Sequence, residues 1–566
     1  MNPGFFLLLI YSGTPFLQKA SCVKSLFLYS SQFKMKKLFF LLLVTAIGYC
    51  SLGQNANTNT KGWHLKDKEN DGYQGISLQK AYALLQGKKS HTVVVAVIDS
   101  GIDTLQNDIK DVFWTNPGEI PNNNIDDDKN GYIDDVQGWN FLGSPSGENL
   151  SVSVPEAYRT YHRFKDQFEG KKYIAQNLQD SFLYNEWQRA AKIINDHYQN
   201  ANENIINFRA NLQIIQASNN FLIKEFGKPI FTRKDLHPQK AKDSSRDYQA
   251  VWLNIFDGRD FSNTDFVTEY ENFVKKQETY ITQKTTTPVD FRDLLLKDDA
   301  YDISKTRFGN TNLQTHSGYH GTSTSGIIGA IRNNQLGIDG IADNVRIMMV
   351  RAILGEDEYD KDVALAIRYA VDNGAQVINM SFGKPISPDK SWVDDAIRYA
   401  QSKDVVLVHA SGNEGKDIDI DFFYPNAFYL DGSRMPHFIN VGASGDAATG
   451  GLAVSFSNYG KKMVDVFAPG IDIECSIANN GTQVASGTSL ASPIVAGLAA
   501  LIRSYFPSLT APQIVDIIKT SGTTITKDVL LPGNKDKKVS FQQLCETGKI
   551  VNAYKAIQMA AQLAGQ

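Results

Sequence analysis

The chain is poor in cysteine. Of 566 residues only four are cysteine, and Cys22 and Cys50 fall within the first fifty positions. The other two, Cys475 and Cys545, make no disulfide framework. An oxidising compartment would allow them one bridge at most, and free or buried thiols are the expectation. Charge of one sign is also lacking: 57 Lys and Arg face 61 Asp and Glu, a net charge of -4. That balance excludes a broad basic surface for nucleic acid and an acidic disordered tail. No internal repeat and no low-complexity tract occur. What is present is a 42% hydrophobic composition, ample for one large domain and a second unit.

The N-terminal region has its own pattern. Met35-Lys36-Lys37 precedes a compact apolar run, Leu38 to Gly48, and Ser51-Leu52-Gly53 supplies small residues before Gln54. A basic start, a short apolar stretch and a small-residue exit predict a secretory signal peptide. The run is well short of the roughly 20 residues that span a bilayer. Residues 1–53 are therefore read as leader and signal peptide, with Met35 as the start and a genuine long leader over residues 1–34 as the alternative. Tyr49 before Cys50 argues against lipidation. Removing residues 1–53 takes away five lysines and no acid, moving the net charge from -4 to -9. The expectation is an exported protein, periplasmic or extracellular, with no stable membrane span after signal removal.

Beyond the leader, His91 to Ile98 is a β-branched apolar run ending in Asp99-Ser100-Gly101. Similar runs recur at Val345 to Val350, Gln376 to Met380, Val405 to His409 and Phe438 to Val441. Between them lie helical patterns at Asp362 to Asp372, Trp392 to Ser402 and Thr488 to Tyr505. Buried strands alternating with helices predict an α/β fold, a mostly parallel, doubly wound sheet covered on both faces. Ligands bind such sheets at the carboxyl ends of the strands, where Asp99 and Asn413 fall. Residues 151–296 break the alternation. Tyr184 to Phe221 and Phe266 to Ile281 place apolar residues at three- and four-residue steps, one face of a helix. This stretch reads as an inserted helical subdomain whose aromatic stripes are core. Residues 54–150 and 297–566 form the main domain.

Four short motifs carry the chemistry: Asp99-Ser100-Gly101, His320-Gly321-Thr322, Ser411-Gly412-Asn413 and Gly487-Thr488-Ser489-Leu490-Ala491. Each alone is an ordinary turn or helix cap. Together they supply a mechanism. A serine hydroxyl is a poor nucleophile until a base takes its proton. A histidine suits that task when a buried carboxylate fixes its tautomer. The tetrahedral anion then needs aimed donors, and Asn413 and the Ser489 amide at a helix start are candidates.

These motifs, in the order Asp, His, Ser, resemble the subtilisin-like serine proteases. The resemblance covers about Trp63 to Leu150 and Asp298 to the C-terminus. It implies a serine endopeptidase acting on polypeptides through an acyl-enzyme, with Asp99, His320 and Ser489 as triad and Asn413 in the oxyanion hole. Ser381, Phe382 and Gly383 would pair with substrate backbone, and Ala410, Ser411 and Gly412 would line the primary specificity pocket. His316 lies near His320 but does not precede Gly-Thr, and His409 is expected to pack in the core. The sequence departs from the family in the 221-residue gap between Asp99 and His320. Ser323 stands where many members carry a second histidine, and the interval between Gln54 and His91 is short for an inhibitory propeptide. A non-catalytic peptide binder would lack a triad member. An α/β-hydrolase esterase would need Gly-x-Ser-x-Gly and the order Ser, Asp, His.

One stretch is dense in oxygen ligands. Asp126, Asp128, Asn130, Tyr132 (by its carbonyl) and Asp134 alternate, with Gly131 at the bend. This spacing suits calcium and resembles the first nine positions of an EF-hand loop, though Gln137 stands where a bidentate Glu is expected. A structural Ca2+ loop is the expectation. A second, weaker candidate combines Asp108 with Asn333-Asn334.

Overall fold

The structure, a computed structural model, describes residues 61–256, 261–314, 319–355, 358–447 and 449–565. The expected signal peptide lies outside the described residues, as does His316. The chain forms two compact units, a helical one from Ile194 to Thr287 and a larger one from Thr58 to Ile193 and Pro288 to Gln566.

Among the described residues, thirteen strands organise the larger unit. They are β1 (Val93–Asp99), β2 (Gly138–Asn140), β3 (Val345–Arg351), β4 (Val377–Met380), β5 (Val406–Ala410), β6 (Phe438–Ser444), β7 (Val466–Pro469), β8 (Ile473–Ile477), β9 (Gly481–Ala485), β10 (Thr523–Thr524), β11 (Asp528–Leu530), β12 (Lys538–Ser540) and β13 (Lys549–Ile550). Nine make one sheet in the order β10-β13-β7-β6-β5-β4-β1-β3-β2. Every pairing in it is parallel except the β10–β13 edge. The strand period of two sorts side chains between its faces. Val95 and Val97 of β1 join the core that includes Leu498, Ala499 and Ile502 of the helix Thr488–Tyr505. Ala96 and Ile98 join the opposite core, with Ile367 and Ile397 of the helices Asp360–Asp372 and Lys390–Ser402. The sheet is thus covered on both faces and doubly wound. The short hairpins β8–β9 and β11–β12 lie apart from the main sheet and carry no long apolar run that would have announced them. Cys475 and Cys545 are both free and buried.

The smaller unit holds most of the helix Leu178–Phe226, with Asp243–Ile255 and Asn263–Gln283. Its core gathers Ile215, Leu222, Phe231, Trp252, Phe256 and Phe266. Ser262 and Asp265 form a capping box that starts the last of these helices.

Residues 151–193 and 288–296, at the two ends of the inserted stretch, group with the sheet. Buried charges fasten them there. Arg292, fully buried, makes a two-pronged pair with Asp362 at 2.6 Å and a third bond to Asp298 at 2.7 Å. Glu156, on the helix Glu156–Phe168, meets Lys384 at 2.8 Å and Arg159 at 2.6 Å.

Candidate active site

Asp99 ends β1, and its carboxylate is 2% exposed. Its oxygens accept from the Ser100 amide at 2.7 Å and face His320 Nδ1 at 2.9 and 3.0 Å. His320 opens the helix Tyr319–Gly329. This approach requires glycine at position 321, because a Cβ there would collide with the Gly101 carbonyl oxygen. Thr324, one turn on, donates to Asp99 Oδ2 at 3.3 Å. With Nδ1–H directed at the carboxylate, Nε2 is left as the basic nitrogen. Burial pulls the imidazole pKa down, but the Asp99 charge and hydrogen bond outweigh it and hold the pKa above the ordinary 6.5. The ring keeps 43% of its surface open, so the charge of Asp99 decides the sign.

Ser489 sits in the first turn of the helix Thr488–Tyr505. That helix contains Pro493, which has no amide to offer the Ser489 carbonyl four residues back. The Ser381 hydroxyl takes that place, donating to Ser489 O at 2.9 Å. Ser381 in turn accepts from Asn379 Nδ2 at 3.0 Å, and Asn379 Oδ1 accepts from Ser492 at 2.8 Å. A polar chain therefore ties the end of β4 to the helix that carries Ser489.

Asn413 lies just past β5. Its Oδ1 accepts from the Thr488 amide at 2.8 Å and the Thr488 hydroxyl at 2.9 Å. A backbone amide can only donate, so the side chain is held with its NH2 on the other side. Gly487 reports where that NH2 goes. A Cβ on Gly487 would stand 2.9 Å from Ser489 Oγ and 3.7 Å from Asn413 Nδ2. Hydroxyl and amide thus converge on one spot that only glycine leaves open.

The segments flanking Ser489 are also fixed. Gly412 N donates to Thr488 Oγ1 at 3.2 Å, while Asn458 Nδ2 donates to Ser411 O at 2.9 Å and Asn458 N to Gly412 O at 2.9 Å. Ala410 and Ser411 are buried. On the other side Ser381 is buried, Phe382 and Gly383 are half-buried, and the Phe382 ring stands edge-on to His409 at 6.3 Å. His409 is fully buried, bonded to Asn440 at 3.2 Å, and burial pulls its pKa down to about 4. Ser323 donates to Ser476 O at 2.8 Å. Sequence reasoning gives Thr488 only as part of the Ser489 motif, without its bond to Asn413, and does not single out Asn458 or Asn379; Asn379, a polar residue inside an apolar strand run, carries a visible signal.

The model of the Subtilase family matches residues 90–543, most of the chain. This chain belongs to the Subtilase family. It is 42% identical over 186 residues to the thermophilic serine proteinase of Bacillus sp. (strain AK1), a match spanning 33% of this chain and 42% of that protein. It is 32% identical over 219 residues to subtilisin BL of Lederbergia lenta, spanning 38% and 74%. The chain thus spans less than half the length of the first of these relatives. Among solved structures, that of the prenylagaramide maturation protease PagA matches 43% of this chain and 82% of its own at 29% identity, with a TM-score of 0.35.

In this subtilase the acidic loop gathers a different group from the alternating series. One carboxylate oxygen each from Glu119, Asp128 and Asp135 lies within 4.8 Å of the others. Of the expected ligands, Asp128 is in this group. Asp134 turns to the amides of Asn123 and Asn124, at 3.2 and 2.8 Å, and Asn130 aims its NH2 at Asp128 and Asp135. Asp126 Oδ2 accepts from Gly131 N at 2.9 Å, while its Oδ1 is buried without a partner. The Tyr132 amide donates to Asn130 Oδ1 at 2.8 Å. The three carboxylates are donors of the kind a hard divalent cation such as Ca2+ takes, and they also accept protein donors, Glu119 from the amides of Asp127, Asp128 and Asp134, and Asp128 and Asp135 from Asn116 Nδ2. At the weaker candidate, Asp108 is buried and already occupied by Asn334 Nδ2 at 2.9 Å and the Ile338 amide at 2.8 Å. Asn333 turns to Asp339.

Proposed function

We propose that the protein is an exported serine endopeptidase that hydrolyses polypeptides through a Ser489 acyl-enzyme. His320 Nε2 removes the Ser489 proton as Oγ attacks the scissile carbonyl. Asp99 holds the ring in the required tautomer and stabilises the imidazolium that forms. The developing oxyanion is met by the Asn413 NH2 and the Ser489 backbone amide. The imidazolium then gives its proton to the leaving amine. Water, deprotonated by the same nitrogen, attacks the ester and frees Ser489. Ser381 to Gly383 and Ala410 to Gly412 flank the nucleophile and bind the chain on the acyl side.

The observation that carries this reading is the pairing of Asp99 with His320, joined to an Asn413 amide locked by Thr488 beside Ser489 Oγ. Calcium, held by Glu119, Asp128 and Asp135, would pin the 116–135 loop and take no part in the chemistry. Export rests on the Met35 to Gly53 pattern, and a secreted form beginning at Gln54 is its check. Among the described residues, no helix is long and apolar enough to cross a membrane.

The test is hydrolysis of unfolded casein by wild type, by Ser489→Ala, and by wild type treated with a serine-directed covalent inhibitor. Cleavage by the untreated wild type alone supports the peptidase. A folded wild type indistinguishable from Ser489→Ala overturns it and favours peptide binding without hydrolysis.

A further inference from the structure

One aromatic ring near Ser489 has no role in the chemistry above. Phe423, half-buried, stands between the two segments that flank the nucleophile. Its Cζ lies 2.7 Å from where a Cβ on Gly383 would stand and 3.0 Å from where one on Gly412 would stand. A single ring edge therefore touches both walls at once, and glycine on each side makes room for it. Gly412 is closed further by Glu414 Oε2, 2.7 Å from the same Cβ position, and by the Asn458 amide. The two walls are those tied to the nucleophile's helix, one by Ser381 on the Ser489 carbonyl and the other by Thr488 on Gly412. On the proposed mechanism, an acyl group on Ser489 with its oxygen at Asn413 lies beside these two walls.

The ring is held in place from the inserted stretch. Tyr424, the next residue, exchanges both backbone bonds with Lys384, at 2.9 and 3.0 Å. Its hydroxyl meets Glu186 Oε1 at 3.1 Å. Glu186, 2% exposed, also accepts the Ser387 amide at 2.8 Å and pairs with Arg189. Arg189 then donates to the carbonyls of Pro385 at 2.7 Å and Phe422 at 3.0 Å. Glu186 and Arg189 lie in the third and fourth turns of the helix Leu178–Phe226. They clamp together the loop bearing Phe423 and the wall that follows Gly383.

We propose that Phe423 fills the slot beside Ser489 and restricts the residue on the acyl side of the scissile bond to small side chains, glycine, alanine or serine, with Glu186 and Arg189 as positioning residues. The proposal rests on the peptidase reading. A pocket closed to bulk cannot be filled by a large side chain without displacing the ring, whereas removing the ring exposes space that apolar side chains occupy favourably.

The experiment uses two peptidyl phosphonate esters alike except for an alanine or a phenylalanine analogue next to phosphorus. The rate of covalent labelling of the mature chain is read by intact mass. Labelling reports access to the nucleophile without requiring turnover. Wild type should react faster with the alanine reagent by about tenfold or more. Phe423→Ala should shift the phenylalanine-to-alanine ratio upward by a similar factor. Phe423→Leu, which keeps the loop packed, should shift it less. Arg189→Ala should move it in the same direction. Wild type labelled faster by the phenylalanine reagent, or a ratio unchanged in both Phe423 variants, overturns this inference alone. No labelling of any folded variant overturns the peptidase reading and this inference with it.

Discussion

At the scale of the residue, the chemistry depends on where protons and lone pairs are held. His320 accepts a proton only when neutral, and its pKa is held above 6.5 once the Asp99 charge outweighs burial. Activity therefore rises with pH through a midpoint above 6.5. The native state favours the protonated ring, so the stability it contributes is full below about 6.5 and is lost as pH rises through the native pKa. Asp99→Asn removes the charge while keeping the shape. The expected result is a midpoint moved down and kcat lowered by about 10⁴-fold, because the ring loses its tautomer control. A pH profile of kcat/KM on a soluble peptide checks both. Asn413→Leu keeps the volume and deletes the amide. With the amide acting on the oxyanion as proposed, it should cost about 10²–10³ in kcat with little change in KM.

At the scale of the element, the strands and helices that carry these residues were legible in advance. Asp99 ends the apolar run of β1, Asn413 follows the apolar strand β5, and Ser489 opens the helix Thr488–Tyr505. The β1 run was readable as an unbroken β-branched apolar stretch, and the helix Thr488–Tyr505 as a long apolar stretch after Gly487-Thr488-Ser489. The β8–β9 hairpin was not, because β9 is exposed along most of its length and carries little apolar pattern. The roles of Thr488 and Asn458 were hidden for another reason: each acts through a bond across the fold, 75 and 47 residues away in sequence. The acidic loop divides in the same way. Its density in oxygen was visible, but Glu119 and Asp135 join Asp128 through a turn that the alternating pattern does not encode. A prediction belongs here. Lys384 is buried between Glu156 and Asp360, each at 2.8 Å. Lys384→Met removes the cation shared by Glu156 and Asp360, leaving Glu156 with Arg159 alone, and should destabilise the fold by about 3–5 kcal/mol, measured by urea unfolding. Because Lys384 follows Gly383, activity should fall with it.

At the scale of the whole molecule, the inserted stretch is more than surface decoration at its ends. Glu156, Arg189 and Arg292 bring its flanking segments into the sheet unit, beside the residues that flank Ser489. Ile194 to Thr287 forms its own core. Length and periodicity predict a helical insertion over residues 151–296. They could not reveal where its compact unit begins, since one helix, Leu178–Phe226, carries the chain across that boundary. Loss of a bound cation should also register globally. Chelator should lower the thermal midpoint of the mature chain. Asp128→Asn with Asp135→Asn should abolish the difference that added Ca2+ makes, read by calorimetry.

The most direct test of the central claim is mass spectrometry of the mature chain after reaction with a fluorophosphonate. The account predicts one adduct, on Ser489, absent in Ser489→Ala and slowed by orders of magnitude in His320→Ala. An adduct elsewhere, or none on a folded wild type, would contradict it.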